Sequence, residues 1–233
     1  MGQRVTRVLC VADPRGDGDA LGRLHEQVGD GVHAIAVIGD LSADGDPAGY
    51  RSVFKALGKS GLPSYWVPGP GDAPVEHYLR EAHNMEVVFP FLHGIHATVA
   101  FAGSHVLFAG VGGEISDDLE APRDETGRLT YPRWEPEYRL RLLRELDEHQ
   151  LAMAFWSPPE HKGQGLPGSE VVAELIATFR PRLVVCSGDP RSQLIGRSVI
   201  VAPGRLADGC YAIADLQSQE VELATMSVPA QPA

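Results

Sequence analysis

No apolar run in the 233-residue sequence reaches the ~18 to 20 uncharged residues that a bilayer span requires. The opening MGQRVTRVLCVAD turns acidic too early for a secretory leader. Membrane insertion and secretion are therefore not expected, and a cytoplasmic location is. Basic residues are in deficit, with 20 Lys and Arg against 31 Asp and Glu for a net charge of −11. Such a balance opposes binding to a phosphate backbone, so nucleic acid is not an expected partner. Cysteine is scarce and odd in number. Cys10, Cys186 and Cys210 each lie in or beside an apolar stretch, which predicts reduced core thiols rather than disulfides or a zinc site. No internal repeat is present. What the sequence does have is 43% hydrophobic residues with 26 Gly and 18 Pro, the composition of a globular chain with many turns. One domain over residues 1–226 is expected, with residues 227–233 (SVPAQPA) as a flexible tail.

Apolar runs read as strands at Val5 to Ala12, His33 to Ile38, Tyr65 to Val67, Met85 to Val88, Thr98 to Phe101 and Val106 to Val111. Further runs fall at Leu151 to Trp156, Leu183 to Cys186, Val199 to Ala202, Tyr211 to Leu216 and Val221 to Thr225, each short and rich in residues that favour strands. Helical patterns at Asp19 to Val28, Asp46 to Lys59 and Val75 to Ala82 separate the early strands, with Asp and Pro near their starts as caps. That alternation implies a parallel sheet. Over Glu135 to Gln150, the i, i+4 series Tyr138, Leu142 and Leu146, with Leu143 beside it, predicts one amphipathic helix with this face in the core. The last strands, joined by PGRLADG, suit antiparallel pairing at a sheet edge. The charged, turn-rich stretch between Ile115 and Pro136 is long enough to be a functional loop or flap.

In α/β sheets, ligands gather beyond the carboxyl ends of the strands. Here those ends carry DPRGD (Asp13 to Asp17), GDLS (Gly39 to Ser42), PGPGDAP (Pro68 to Pro74), WSPPEHKG (Trp156 to Gly163) and SGDPR (Ser187 to Arg191). In order and spacing these five loops resemble the calcineurin-like metallophosphoesterase superfamily, whose loops read D-x-H, G-D, G-N-H-D/E, H and G-H-x-H. VAPGRLADGCYAIADL is similar to that family's NPGS segment and closing strands, so the resemblance spans nearly the whole chain. GVGGEI, PSYWVPGPGDAP and PPEHKGQG look like a small bacterial subgroup with altered metal motifs. The resemblance implies an α/β fold, a two-sheet αββα sandwich of the metallo-dependent phosphatase type. It also implies a phosphoric ester hydrolase site in which about seven ligands hold two metal ions.

The departures from that pattern carry the expectation about activity. Asp13 and Asp40 match two family carboxylates, but Arg15 stands at the first His position, and a guanidinium has only donors to offer a metal. Pro70 and Gly71 replace the ligating Asn and the proton-donating His, Asp72 remains as the orienter of that missing His, and Trp156 occupies the lone-His position. Asp189 and Arg191 stand for the two His of G-H-x-H, and of nine His only His161 lies in a site-forming loop. Three carboxylates (Asp13, Asp40, Asp189) and two guanidiniums (Arg15, Arg191) give a nearly balanced cluster. An ion-pair knot in which arginine stands in for metal is expected there. Open beside it are an anion site of one Arg with loop N–H groups, and a single hard cation (Mg, Mn or Ca) on the three Asp.

Other features weigh less. Gly16, Gly18 and Gly22 imitate a dinucleotide fingerprint, against which Asp17 or Asp19 reads as a helix N-cap. His161 and Lys162 would touch a ligand phosphate or donate a proton, or else lie on a solvated loop. Glu114 would reach the cleft from behind two glycines, or cap the surface. Ser42 and Ser157 have no His partner nearby in sequence to make a nucleophile. The expectation is a non-catalytic binding or regulatory module for a small anionic ligand or a protein partner, with no cofactor, in a chain that would also suit a homo-oligomer. Its cleft would be lined by Asp13, Arg15, Asp40, Asp72, Glu114, Trp156, His161, Asp189 and Arg191. The rival is a divergent phosphoesterase using at most one cation, with His161 or water moving protons.

Overall fold

The computed structural model describes residues 4–103, 105–146, 148–161 and 167–226. The expected tail, 227–233, and Lys162 lie outside them. Among the described residues, fourteen strands and five α-helices form two six-stranded sheets and a two-stranded one, with helices outside. The first sheet has the order β14 (Val221–Thr225), β13 (Cys210–Asp215), β1 (Arg7–Ala12), β2 (Ala34–Ile38), β3 (Ser64–Val67) and β4 (Leu92–Gly94). The second has the order β11 (Arg191–Ile195), β12 (Ser198–Ala202), β10 (Leu183–Cys186), β9 (Gln150–Phe155), β6 (Val106–Val111) and β5 (Thr98–Ala102). The expected two-sheet sandwich is what the chain forms. β1 to β4 run parallel in the first sheet and β6, β9, β10 and β12 in the second, with β13 and β14 added antiparallel at one edge of the first and β5 and β11 at the two edges of the second.

Alternation along each strand builds two apolar layers. Val8, Cys10 and Ala12 of β1 face the second sheet together with Tyr65, Phe108, Ala152 and Val185, while Leu9 and Val11 face the helices. The Tyr65 and Phe108 rings stack at 4.0 Å across the gap. Helix α1 (Gly18–Val28) begins at Asp17, whose carboxylate accepts from Ala20 N at 2.8 Å. Asp46 accepts from Ala48 N to start α2 (Pro47–Lys59), with Pro at the first position. Of the glycines of the apparent fingerprint, Gly18 serves packing, since a Cβ on it would fall 2.6 Å from Ser52 Oγ of α2.

Several expectations need correction. Met85 to Val88 is no strand. α3 runs over Val75–Glu86, and Val87 and Val88 follow it into solvent. The stretch after Glu135 is not one long helix but a short α4 (Glu135–Leu140) and a 3-10 turn (Arg141–Glu145). That change of pitch turns Leu140 and Leu143 inward and leaves Tyr138 and Leu142 exposed. The last strands, β13 and β14, do pair antiparallel at a sheet edge, but PGRLADG does not join that pair. It carries the chain from β12 in one sheet to β13 in the other. Helix α5 (Glu170–Phe179) has no counterpart in the sequence reading. Cys10 and Cys186 are buried, and burial holds the Cys186 thiol up at about 12, but Cys210 is half-exposed at the start of its strand.

The stretch between Ile115 and Pro136 is anchored rather than loose. Its strands β7 (Glu114–Ile115) and β8 (Thr130–Tyr131) pair in parallel, and Leu129 and Tyr131 are fully buried. Leu129 N donates to Pro70 O at 3.0 Å, and the Asp117 carboxylate accepts from Ser169 Oγ, Glu170 N and Val171 N at the head of α5.

Candidate functional site

The loops after β1, β2 and β3 are fastened to one another by their aspartates. Asp13 Oδ1 accepts the Asp40 N–H at 2.7 Å, and Asp40 Oδ1 accepts the Gly71 N–H at 2.8 Å. Asp72, fully buried, accepts from Leu41 N at 2.9 Å, Ser42 N at 3.1 Å and Gly69 N at 2.7 Å. Each carboxylate thus engages main-chain donors of a neighbouring loop. The close approach depends on glycine: a Cβ on Gly71 would sit 2.8 Å from Asp40 Oδ2, and one on Gly39 would sit 2.5 Å from Asp72 Oδ2. The first loop is also held by main-chain bonds, Arg15 N to Asp40 O at 3.1 Å and Gly16 N to Leu41 O at 2.9 Å. Asp13 and Arg15 both adopt left-handed backbone, at φ 49° and 45°, a conformation that for non-glycine residues tends to mark functional loops.

Burial pushes the Asp72 carboxyl up to about 7, against the pull of its N–H bonds, with the Asp40 charge adding to the rise. Burial likewise raises Asp13 to about 6; the Asp40 N–H, Arg15 and Arg205 pull it down, and the Asp40 carboxylate pushes it up. The buried Tyr50 hydroxyl lies beside Asp72; burial raises its pKa, and the Asp72 carboxylate adds to the rise.

Asp13 opens on a cleft of 470 Å3 that it shares with Ser187, Gly188, Asp189, Pro190, Gly204, Arg205 and Asp208. The loop after β1 here meets the loop after β10 and the crossover between the sheets. Asp189 is exposed in it, and Arg205 pairs with Asp208 at 2.8 Å. Arg205, Asp208 and Ser187 were not singled out from sequence. The signal was available for the first two, since PGRLADG follows a strand as the other site loops do.

The remaining expected residues stand apart from that cleft. Arg15 is exposed, and Arg191 is half-buried at the start of β11, its Nη2 4.0 Å from where a Cβ on Gly188 would be. The expected arginine–carboxylate knot is not formed. Among the described residues no ion pair joins Arg15 or Arg191 to Asp13, Asp40 or Asp189. Main-chain N–H groups hold Asp13 and Asp40 instead. Asp40 and Asp72 act from beneath the cleft. Glu114 is drawn away by Arg128, at 2.9 Å. Trp156 packs against the inter-sheet layer with its indole N–H buried and unpaired, and its carbonyl accepts from Ser187 Oγ at 2.6 Å. His161 is half-buried, with Nδ1 unpaired, and does not line the cleft. Ser42 Oγ donates to Asp46 O, and Ser157 Oγ accepts from Ile115 N, so neither faces a histidine. Among the described residues no three His, Cys, Asp or Glu side chains are grouped as a metal ion requires.

Comparison with known proteins agrees with this architecture. No curated protein matches the sequence. Among solved structures, the protein TT1561 of Thermus thermophilus is similar at 39% identity and TM-score 0.90, over 95% of this chain and 99% of that one. Phosphopantetheinyl hydrolase of Mycobacterium tuberculosis shares the fold at 12% identity and TM-score 0.56, over 88% of this chain and 90% of that one. The 5'-nucleotidase of Candida albicans does so at 8% identity and TM-score 0.58, over 95% of this chain and 52% of that one. A family model described as metallophosphoesterase, calcineurin superfamily, matches residues 46–226, and the chain belongs to that superfamily.

Proposed function

We propose that this chain keeps the phosphoesterase cleft without its two-metal mechanism and serves as a non-catalytic binding or regulatory module for a small anionic ligand. The observation that carries this reading is the use of the strand-end carboxylates. One oxygen of each of the two carboxylates that match family metal ligands accepts a main-chain N–H bond, Asp13 Oδ1 from Asp40 and Asp40 Oδ1 from Gly71, and Asp72 holds the Leu41, Ser42 and Gly69 N–H groups. Arg15, Pro70, Gly71, Trp156 and Arg191 stand where the superfamily's other ligands and acid would be, and none offers a lone pair to a metal from its side chain. The dinuclear group therefore does not fit the residues present. Arg15 and Arg191 do not line the cleft themselves, but neither has an ion-pair partner among the described residues, which suits an anion bound beside it.

Calorimetric titration with inorganic phosphate tests the reading. Binding to wild type is expected, weakened about tenfold in Arg15→Ala and in Arg191→Ala by loss of a charge-assisted bond. A second reading draws on the acidity of the cleft, where Asp13, Asp189 and Asp208 face one arginine. A divergent phosphoesterase would hold one Mg, Mn or Ca there, on Asp13 and Asp189 with Asp40. Mn-dependent hydrolysis of bis(p-nitrophenyl) phosphate that vanishes in Asp40→Asn would establish it and displace the first.

A further inference from the structure

Among the described residues the first sheet ends at β14, with no strand paired to its outer side. The register against β13 sets Leu223 opposite Ala212. Just past the ladder, Asp215 N donates to Glu220 O at 2.9 Å and Met226 N to Gly209 O at 2.8 Å. Antiparallel strands exchange hydrogen bonds at every second pair, so Glu220, Glu222, Ala224 and Met226 direct their main-chain groups toward β13. Val221, Leu223 and Thr225 direct theirs outward. Among the described residues none of these outward N–H groups has an acceptor.

Sheet edges are commonly guarded by lysine, proline, a bulge or a covering segment. The strand reads VELAT, without Lys or Pro, and its register runs unbroken from Cys210–Thr225 to Ala214–Val221. Val221 packs on the layer between the sheets, and Leu223, two residues on, shares its face while remaining 40% exposed. β11 approaches β14 on this side of the sandwich. Its Ile195 packs on the helix-side layer, which turns Leu194, 60% exposed, toward the same mouth between the sheets. At the opposite side, β4 is only three residues long, and on β5 the Phe101 carbonyl accepts the Tyr65 O–H at 3.2 Å.

An occupant of the β14 edge must bring an unpaired strand, and β14 is complementary to itself. A two-fold axis at Leu223 sets Leu223 against Leu223 of a second copy and Val221 against its Thr225. All of these are outward-directed positions, so each pair exchanges both of its hydrogen bonds. Glu222, the one charged residue of the strand, then lies opposite Ala224. A slip of one residue would match outward groups to inward ones, and a slip of two would set Glu222 against Glu222, where like charges repel. We propose that the β14 edge is the interface of a homodimer, in which two copies join their first sheets into one continuous sheet across a two-fold axis. The proposal is independent of the ligand proposed for the strand-end cleft.

Sedimentation velocity of the full chain over a serial dilution should show a monomer–dimer equilibrium. Hydrogen exchange should find the Val221, Leu223 and Thr225 amides protected in the dimer and open in the monomer. Leu223→Pro removes an N–H that makes no bond within the protomer and places a ring on the open edge, where proline is tolerated. It should be monomeric at every concentration, with urea stability close to that of wild type. Oxidation of Cys210→Ser/Leu223→Cys should give a covalent dimer, because Cα atoms of a hydrogen-bonded antiparallel pair lie about 5.5 Å apart, within disulfide reach. Cys210→Ser/Glu222→Cys, whose new thiol faces Ala224, should not cross-link. A monomer throughout the dilution series, or a dimer in which the Val221, Leu223 and Thr225 amides exchange as freely as in the monomer, would overturn the proposal. The exchange measurement runs on wild type, so it decides the matter even if Leu223→Pro does not fold.

Discussion

At the residue scale the aspartates of the site act first on their own protein. Asp13, Asp40 and Asp72 each reach across to the main chain of a neighbouring loop, and the glycines around them leave no room for a side chain. Gly39→Ala would place a methyl group against Asp72 Oδ2 and Gly69 N, and about 2 to 3 kcal/mol of stability should be lost in urea denaturation. Gly22→Ala, in the middle of α1 with nothing within 4 Å of the added atom, should instead gain about 0.5 to 1 kcal/mol. Equal effects would contradict the packing described. Titration gives a second expectation. Asp13 is raised from 3.8 to about 6, and Asp72 to about 7, so between those limits the folded chain binds more protons than the unfolded one. Stability from these groups is full below about pH 4 and falls as pH rises toward 7. Asp13→Asn, which keeps the acceptor for the Asp40 N–H, should flatten that slope and stabilise the protein by about 2 kcal/mol at pH 7.5, measured as urea stability against pH. An unchanged slope would show that Asp13 ionises normally.

Elements were legible where local rules agreed. β6, β10 and β14 fall where the apolar runs predicted, and α1 and α2 start at the aspartates that read as caps. Spacing failed where it left the choice of face open. Tyr138, Leu142 and Leu146 keep helical spacing, but past the 3-10 turn at Arg141 only Leu146 of the three packs on the core, with Leu140 and Leu143, while Tyr138 and Leu142 are exposed. α5 escaped notice because Val171, Val172, Leu175 and Ile176 follow a segment with no strong pattern, and part of its start is organised from afar. Besides its own cap, Ser169, that start is held by Asp117, some 52 residues earlier in the chain. Asp117→Ala removes acceptors from Ser169 Oγ, Glu170 N and Val171 N. It should cost about 1 to 2 kcal/mol and speed hydrogen exchange at the head of α5 in mass spectrometry. Unchanged exchange there would mean that Ser169 alone suffices.

For the whole molecule, the two-sheet sandwich could be read from strand-end motifs, since the order of DPRGD, GDLS, PGPGDAP and SGDPR along the chain is a property of topology. The use made of those motifs could not. Side-chain charges at Asp13, Arg15, Asp40, Asp189 and Arg191 suggested a knot of ion pairs, but charge counting omits the main-chain donors that hold the carboxylates. It also omits Arg205, which the crossover between sheets brings to the cleft from about 190 residues away in sequence. The central claim concerns what these loops hold. Its most direct test is metal stoichiometry by native mass spectrometry after loading with Mn and desalting, on wild type and on the Arg15→His/Arg191→His double variant. The account predicts no retained ion on wild type, with stability unchanged by Mn. One or two tightly held ions on wild type would contradict it and return the chain to the metal-dependent hydrolases of its superfamily.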